Sequence, residues 1–290
     1  MEAPDIGLCC GTVMKAGLLE LIEVAARHGF PTITVRPATF AAALEQGFDE
    51  KAIRRRLSNA GLRVTMIDAL TRDLPGATVA DSSDPKLRAI FPDEVFFPPD
   101  QETCLRAAAV MEAPYLNVTH FGGKPVPLSD MAEAIGVICA KAASHGVTLA
   151  LEFVPGTGIP DIGTADAIAK SCGESNCRIT LDPWHLDRSG GSVQDVADLA
   201  ANSLAGMQLC DRVPEPAGTP YVPMTGRRMP GEGQLPLYDL VRAALANSSG
   251  ISIEAEVLND ELRALTPDEA AARVRVGVQK WRSGFVAAYA

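Results

Sequence analysis

Short apolar segments alternate with longer amphipathic segments along this chain. Eight of the apolar segments are rich in Val, Ile and Leu and have the length of buried strands. These predicted strands are Ile6–Val13, Thr32–Pro37, Arg63–Leu70, Tyr115–Phe121, Thr148–Val154, Arg178–Asp182, Leu204–Cys210 and Ile251–Val257. Strands that alternate with helices over short connections run parallel and are covered by those helices, and eight such units close a barrel. The pattern therefore predicts an α/β fold with a single (β/α)8 TIM barrel over residues 1–290.

Two of the segments between the predicted strands carry clear helix signals. One face of a helix is predicted by the spacing of Met131, Ile135, Ile138 and Ala142. The start of the last helix is predicted by the sequence Thr266-Pro267-Asp268-Glu269, which has the form of a capping box with Pro at the first helical position.

An open, doubly wound sheet is the alternative arrangement of the same elements. That fold normally has a Gly-rich phosphate loop after its first strand, and no GxGxxG motif follows the first strand here. Two long polar stretches, residues 71–99 and 211–236, follow the third and seventh strands. In a barrel they would lie at the C-terminal face, where active sites occur. The barrel is therefore the favoured prediction.

The charge of the chain limits its partners. Lys and Arg total 26 while Asp and Glu total 36, so the formal net charge is −10. Sites for a nucleic-acid backbone or an anionic membrane surface need an excess of positive charge, so we expect neither partner. No apolar run approaches the ~18 residues that a membrane span needs, and the first residues lack the pattern of a signal peptide.

The seven cysteines include no CxxC pair, and several lie in apolar, strand-like runs. This pattern is typical of reduced, buried thiols in a cytoplasmic protein. We therefore expect a cytoplasmic protein whose partner is a small-molecule substrate. Assembly into a homo-oligomer is left open.

Polar residues occur near the ends of the last four predicted strands. They are Glu152, Asp182, Gln208 and Glu254, one on each strand. A carboxylate in a strand that is covered on both faces is costly unless it is paired or binds a metal. One such residue alone is usually an ion pair, but four on successive strands predict one divalent-metal site. Carboxylate and amide oxygens are hard ligands, so we expect Mn²⁺ first, with Mg²⁺ and Co²⁺ as alternatives.

Five motifs of the chain resemble those of a known family: LEFVP, LDPWHLDRSGG, MQLCD, ISIEAE and RRMPGEG. They are similar to the xylose-isomerase-like barrel superfamily of sugar phosphate isomerases and epimerases, which includes ketose 3-epimerases, inosose dehydratases and dehydroshikimate dehydratases. The resemblance covers most of the chain and is strongest from Thr148 to Val257. It implies that the metal is held by the same four residues on strands five to eight. It also implies that His185 contacts the substrate.

The chain departs from this family pattern at two positions. Gln208 stands where many sugar epimerases carry His, and Arg36 ends the second strand where sugar-binding members often place Glu. An Arg at the mouth of the barrel favours a substrate with a carboxylate, a phosphate or a polarised carbonyl.

Several residues near the strand ends are predicted to bind the substrate or line its pocket. They are His185, Arg36, His120, Arg188, Trp184 and Glu256. For some of them a structural role is the alternative, because a His can cap a loop, an Arg can brace one and a Trp can simply pack. The sequence leaves two roles open for Arg227 and Arg228 in the seventh loop, a solvated surface position or a contact with the site.

The predicted chemistry is proton transfer next to a carbonyl group. A metal ion would act as a Lewis acid, while Glu152 or Glu254 would take the proton and the other would return it, as in an isomerase or epimerase. If a hydroxyl group leaves instead, the same site is that of a lyase or dehydratase. An endonuclease would need more His than the four present and a basic surface. A barrel that only binds a ligand would be favoured if the protein bound no metal.

Overall fold

The apolar segments of the chain form parallel strands, and each strand hydrogen-bonds to the next one in sequence. The last strand also pairs with the first, so the sheet closes into a barrel. The computed structural model describes residues 2–78, 97–121, 126–213, 216, 219, 226–248 and 250–289. The strands of these ranges are β1 (Gly7–Leu8), β2 (Thr32–Val35), β3 (Arg63–Leu70), β4 (Tyr115–Thr119), β5 (Thr148–Glu152), β6 (Cys177–Leu181), β7 (Leu204–Leu209) and β8 (Ser252–Ala255). The predicted (β/α)8 TIM barrel is therefore confirmed.

The amphipathic segments form helices around the barrel. Those in the described ranges are α1 (Leu18–Arg27), α2 (Pro37–Glu45), α3 (Glu50–Ala60), α4 (Gln101–Met111), α5 (Leu128–Ala143), α6 (Ile162–Ser171), α7 (Pro183–Arg188), α8 (Val193–Ala197), α9 (Leu237–Asn247), α10 (Asp260–Ala264) and α11 (Pro267–Ala288). The predicted apolar face of α5 is buried, and α11 begins at the predicted capping box of Thr266 and Glu269. No helix in these ranges combines the length and the hydropathy that crossing a bilayer requires.

The first strand is much shorter than its apolar segment. It contains only Gly7 and Leu8, because the chain turns at Cys9, whose carbonyl oxygen accepts a hydrogen bond from the backbone N–H of Thr12 at 3.1 Å. A Cβ atom at position 7 would collide with Oγ1 of Thr32 on β2. Gly7 therefore allows β1 to approach β2 closely where the barrel closes.

The interior of the barrel becomes polar toward the carboxyl ends of the strands. Met66, Ala150 and Ala205 form a small apolar cluster that is separate from the main core between the strands and the helices. Next to it, Asn117 accepts a hydrogen bond from Thr180 Oγ1 at 2.9 Å. Carboxylates follow at the strand ends, the region in which TIM barrels have their active sites.

Parts of the two predicted long loops lie outside the described residues, namely 79–96 and most of 214–225. The described ends of both loops reach the C-terminal face of the barrel. Thr71 and Pro99 line a cavity there, and Arg227 lines the same cavity from the other loop. Both loops therefore border the candidate site.

Candidate active site

Glu152 is the last residue of β5 and is buried, with 7% of its surface exposed. Its Oε2 atom accepts hydrogen bonds of 2.7 Å from Asn117 Nδ2 and from Thr119 Oγ1. Thr119 is the register partner of Glu152 on β4, so the pairing of the two strands sets this contact. One carboxylate oxygen is thereby fixed, and the other, Oε1, lies 3.3 Å from Nε2 of His185.

Asp182 follows β6 and caps helix α7. Its Oδ1 atom accepts a hydrogen bond of 2.8 Å from the backbone N–H of Trp184. The first turn of α7 brings His185 back over the strand ends, where its Nε2 lies 3.3 Å from Asp182 Oδ2. The possible ligand atoms of Glu152, Asp182 and His185 all lie within 4.8 Å of one another.

Arg227 is buried among these acidic groups, with 2% of its surface exposed. Its Nη1 atom is 2.6 Å from Asp182 Oδ2 and 2.8 Å from Glu256 Oε2, and its Nη2 atom is 3.3 Å from His185 Nε2. The sequence leaves two roles open for Arg227, and these contacts place its side chain in the candidate site. Arg228 has an exposed side chain, 3.9 Å from the carboxylate of Glu261.

The loop that carries Arg227 is held by Asp211, which follows β7. Asp211 and Arg228 exchange two backbone hydrogen bonds of 2.9 and 2.7 Å. The Asp211 carboxylate also accepts hydrogen bonds of 3.0 Å from the backbone N–H groups of Gly231 and Leu235. These contacts fix the backbone next to Arg227 and so direct its side chain inward.

Gln208 connects three strands at the mouth of the barrel. Its Nε2 atom donates to Asp68 Oδ2 on β3 at 3.2 Å and to Glu256 Oε1 just beyond β8 at 3.3 Å. Asn117 Nδ2 also donates to Asp68 at 2.8 Å, and the Cys9 thiol donates to Glu256 Oε1 at 3.3 Å. This network adds Asp68 and Glu256 to the group of acids at the strand ends.

The structure corrects the predicted position of Glu254. Gln208 and Glu254 are register partners, but the strands of a barrel are tilted, and the side chain of Gln208 meets Glu256 instead. Glu254 Oε1 accepts hydrogen bonds from Thr65 Oγ1 at 2.7 Å and from Thr32 Oγ1 at 3.2 Å. Among the described residues that line the cavity, Glu256 is present and Glu254 is not. Because Glu254 and Glu256 are two residues apart, their side chains point to the same face of the strand, and Glu256 lies nearer the mouth of the barrel.

The buried acids differ in their tendency to ionise. Burial opposes the ionisation of Glu152, but the hydrogen bond from His185 and the charge of that residue outweigh burial, so the pKa of Glu152 is lowered below its ordinary value. Burial raises the pKa of Glu256 well above its ordinary value and raises the pKa of Asp68 to about 6. The environment therefore favours the charged form of Glu152 and makes the neutral forms of Glu256 and Asp68 more accessible than in a free carboxyl group.

A cavity opens above these groups. The residues that line it include Arg36, Asp68, Glu152, His185, Arg227 and Glu256. Arg36 ends the segment of β2 and donates through Nη2 to the carbonyl oxygens of Met14 at 2.7 Å and Ala16 at 3.0 Å. Its guanidinium group is thus held at the cavity wall, at the end of strand two where the sequence places it.

His120 does not line the cavity, contrary to the role predicted for it. Its Nδ1 atom accepts a hydrogen bond of 3.1 Å from the backbone N–H of Gly158, and its Nε2 atom lies 3.0 Å from the carbonyl oxygen of Pro75. An imidazole with an accepting Nδ1 carries its proton on Nε2, which then donates to Pro75. His120 therefore ties together the loops after β3 and β5, which is the structural alternative stated above.

Trp184 and Arg188 support the site from beside the cavity and are absent from its described lining. Trp184 is buried, and the guanidinium carbon of Arg227 lies 5.2 Å from the centre of its ring. Arg188 Nη2 donates to the carbonyl oxygen of Thr219 at 3.2 Å. Both residues thus act on the loop of Arg227 and on its side chain, instead of contacting the cavity directly.

Comparison with known proteins shows the family to which the chain belongs. A model of the xylose isomerase-like TIM barrel family matches residues 22–281. The chain belongs to this family. A relative from Streptomyces coelicolor (strain ATCC BAA-471 / A3(2) / M145), named "Putative hydroxypyruvate isomerase", is 25% identical over 245 residues, which are 80% of this chain and 83% of the relative.

Solved structures of the same fold cover almost the whole chain. The IolI protein, solved with a bound zinc atom, has a TM-score of 0.78 and 16% identity and covers 97% of this chain and 99% of its own. A D-psicose 3-epimerase solved in the presence of D-fructose has a TM-score of 0.66 and 17% identity, with coverage of 96% and 98%. At identities this low, the similarity to these two structures shows a shared fold. This member of the xylose isomerase-like family shares that fold over nearly its whole length.

The donor atoms of this family member fit a hard divalent cation. Gln208 Oε1 is buried and has no hydrogen-bond partner among the described residues. Asp182, Glu152 and Glu256 add three carboxylates, and in the described part of the chain their ion pairs involve Arg227 and His185. The acids therefore outnumber the permanent positive charge that reaches them, and oxygen ligands of this kind suit Mn²⁺, Mg²⁺ or Zn²⁺.

Sequence reasoning missed four residues of the site. They are Asp68, Asn117, Thr119 and Cys9. Asp68 carries the same signal as Glu152, because it is a carboxylate inside an apolar strand. Extending that test from the last four strands to all eight would have found it. Asn117 and Thr119 alternate on one face of β4, but their role depends on the register with β5, which the sequence alone does not specify.

Proposed function

We propose that this protein is a divalent-metal-dependent isomerase or epimerase that moves a proton next to the carbonyl group of a small polar substrate. The observation that supports the proposal is the group of buried acids from neighbouring strands, Glu152, Asp182 and Glu256, around Gln208 at the floor of an open cavity. Membership of the xylose isomerase-like family supports the same reaction class.

Glu152, Asp182, Gln208 and Glu256 would hold the ion in this proposal, with Glu256 in the place first predicted for Glu254. When bound there, the ion supplies positive charge that polarises a carbonyl group and stabilises negative charge on its oxygen. The metal is proposed as Mn²⁺, with Mg²⁺ and Co²⁺ as alternatives, and Zn²⁺ is added because the IolI structure contains it.

Glu152 is the proposed base. Its lowered pKa keeps it ionised near neutral pH, and Asn117 and Thr119 fix Oε2 while Oε1 lies 3.3 Å from His185 Nε2. Glu256 is the proposed second proton-transfer group, because it lines the same cavity as Glu152 and can return the proton that Glu152 takes.

A substrate with a carboxylate or a polarised carbonyl group suits this cavity. Arg36 and Arg227 both line it and can each bind two oxygens through a planar guanidinium group. Hydroxypyruvate has both groups, and the Streptomyces coelicolor relative is named for its isomerisation. We therefore propose a small hydroxy-keto acid as the first substrate to test.

Elimination of water is the second candidate, and it shares the first step. The network around Gln208 contains a further carboxyl group, Asp68, whose pKa is raised to about 6 and which could protonate a leaving hydroxyl group. Products that have lost water, in place of isomers, would identify this lyase reaction.

Proton NMR in D₂O tests the proposal directly. The metal-loaded protein is mixed with hydroxypyruvate and with a panel of keto-sugars and keto-inositols. The hydrogen on the carbon next to the carbonyl group should exchange with deuterium, and signals of an isomer should appear. Absence of both exchange and turnover over the whole panel, with Mn²⁺ shown to be bound, would contradict the proposal.

Two variants and a matched control separate the roles of the acids. Glu152→Gln and Glu256→Gln keep an oxygen ligand but remove a proton-transfer group, so exchange should fall by about 10²-fold or more. Glu254→Gln changes the same residue type on β8 one step below the mouth, and it should keep the exchange rate. A loss in Glu254→Gln with normal activity in Glu256→Gln would return the role to Glu254.

A further inference from the structure

Three cysteines meet on the outer side of the barrel, away from the site described above. Cys139 lies in α5, Cys172 caps the end of α6, and Cys177 begins β6. Their sulfur atoms all lie within 4.8 Å of one another. Cys139 is buried, while Cys172 and Cys177 are partly exposed, so the group borders solvent on one side.

Two of these cysteines lie close together because helices α5 and α6 pack closely at this point. A Cβ atom at Gly136 would collide with the carbonyl oxygen of Cys172, so only glycine lets the end of α6 rest on α5 at this point. Cys139 is one turn further along α5 than Gly136 and therefore faces the same contact. The proximity of Cys139 and Cys172 is thus a consequence of the helix contact.

The short segment from Cys172 to Cys177 is also held in place. Asn176 Nδ2 donates to the carbonyl oxygens of Cys139 at 2.9 Å and Val147 at 3.0 Å, which ties the segment to α5 and to the start of β5. The carbonyl oxygen of Asn176 accepts a hydrogen bond of 2.9 Å from Leu149 N on β5. The three sulfurs are therefore positioned by backbone that is fixed on both sides.

We propose that Cys139, Cys172 and Cys177 form a binding site for a thiophilic divalent cation such as Zn²⁺. Three thiolates at ~2.3 Å from one zinc ion lie ~3.8 Å apart, so the observed spacing needs a closure of at most about 1 Å. The exposed side of Cys172 and Cys177 leaves a fourth position for water. Each thiol that binds releases its proton to solvent, so the site fills more strongly as the pH rises.

Cadmium titration tests the proposal, because cadmium–thiolate bonds absorb in the ultraviolet whereas cadmium–carboxylate bonds do not. The reduced, chelator-treated protein should show a charge-transfer band that saturates with one equivalent of Cd²⁺. Cys172→Ser and Cys177→Ser should each lose more than half of the band. Zn²⁺ should remove the band by competition, and excess Mg²⁺ should not.

Two cysteine controls exclude other sources of the signal. Cys104→Ser changes a buried cysteine of α4, and Cys9→Ser changes the thiol at the active site; both should keep the band. A band that disappears in Cys9→Ser, or the absence of any band, would overturn the proposal. A disulfide between two of the three cysteines in air, with no Cd²⁺ uptake after reduction, would also overturn it and would identify a redox pair.

Discussion

Glu254 is a buried carboxyl group with no cationic partner among the residues that the structure describes. Its described hydrogen-bond partners are the hydroxyl groups of Thr32 and Thr65, which can donate to a carboxylate but carry no charge. Burial therefore dominates, and it raises the pKa of Glu254 from 4.5 to about 7. Two residues further along the chain, just beyond β8, Glu256 has the same side chain but contacts Arg227 and Gln208. The position along one strand thus separates an interior acid from one that faces the cavity.

Glu254→Gln should flatten the dependence of unfolding free energy on pH. Because the folded pKa is raised, the stability that Glu254 contributes is fully present below pH 4.5 and is lost as the pH rises through about 7. The stability lost is at most about 3.4 kcal/mol, at 1.36 kcal/mol for each pH unit between 4.5 and about 7. Urea unfolding of both proteins at about pH 5 and about pH 8 measures it. Equal pH dependence in the two proteins would show that Glu254 ionises normally.

Arg227→Met should destabilise the chelator-treated protein. The change leaves Asp182 and Glu256 without their buried cation, which costs about 3–5 kcal/mol in comparable cases. Mn²⁺ should recover part of this loss, because it supplies positive charge to the same carboxylates. Urea unfolding with and without Mn²⁺ gives both quantities.

Arg228→Met is the matched control for that experiment. Its side chain is half exposed and, in the described part of the chain, pairs with Glu261 at 3.9 Å, so the effect should stay within about 0.5 kcal/mol. Equal losses in the two variants would mean that the loop backbone, and not the buried guanidinium group, accounts for the stability.

At the scale of the elements, the barrel could be predicted because the signal for each strand is local. A short apolar run such as Leu-Ala-Gly-Met-Gln-Leu of β7 identifies a buried strand without knowledge of its neighbours. The end of a strand is different, since it depends on where the next residues find hydrogen bonds. β1 was predicted through Val13 but ends at Leu8, because Thr12 bonds back to Cys9.

The residue types of the site were easier to predict than their positions relative to one another, because those positions depend on contacts between distant segments. Residue type and strand position alone predicted four strand-end residues; Glu152, Asp182 and Gln208 belong to the group at the mouth, whereas Glu254 lies one step below it. The choice between Glu254 and Glu256 depends on the tilt of β8 against β7, and the conformation of Arg227 depends on Asp211 across its loop. Such relations connect residues that are distant in sequence, so a pattern within one segment does not contain them.

Gly136→Ala tests how tightly helices α5 and α6 of the outer layer pack against each other. A methyl group there would meet the Cys172 carbonyl oxygen, so α5 and α6 must separate, at a cost of about 1–3 kcal/mol. Gly163→Ala in α6 is the control, because its Cβ would have only an ordinary contact with Asp161, and alanine favours a helix by about 1 kcal/mol. Thermal unfolding of both variants measures the contrast. Similar midpoints would show that the helix contact adapts at little cost.

At the scale of the whole molecule, the charge is −10 and several of the acids converge on one cavity. Bound Mn²⁺ should therefore stabilise the fold, by about 2.7 kcal/mol at 100 times its Kd. The effect should grow from about pH 5.5 to about pH 8, because protons on Glu256 and on Asp68, with its pKa of about 6, oppose a cation. Thermal midpoints with Mn²⁺, and with K⁺ at equal ionic strength, measure the difference. Equal shifts for both salts would exclude a specific site.

The thiol of Cys9 lies at the centre of this acidic group, 3.3 Å from Glu256. Burial, followed by the neighbouring thiol and the charges of Glu256 and Asp68, raises its pKa well above the ordinary value. Peroxide attacks the thiolate and not the thiol, so burial together with the neighbouring acids protects this sulfur from oxidation to sulfenic acid. The cavity is thereby suited to keep a reduced thiol beside it under oxidative conditions that would modify an ionised cysteine at the same place.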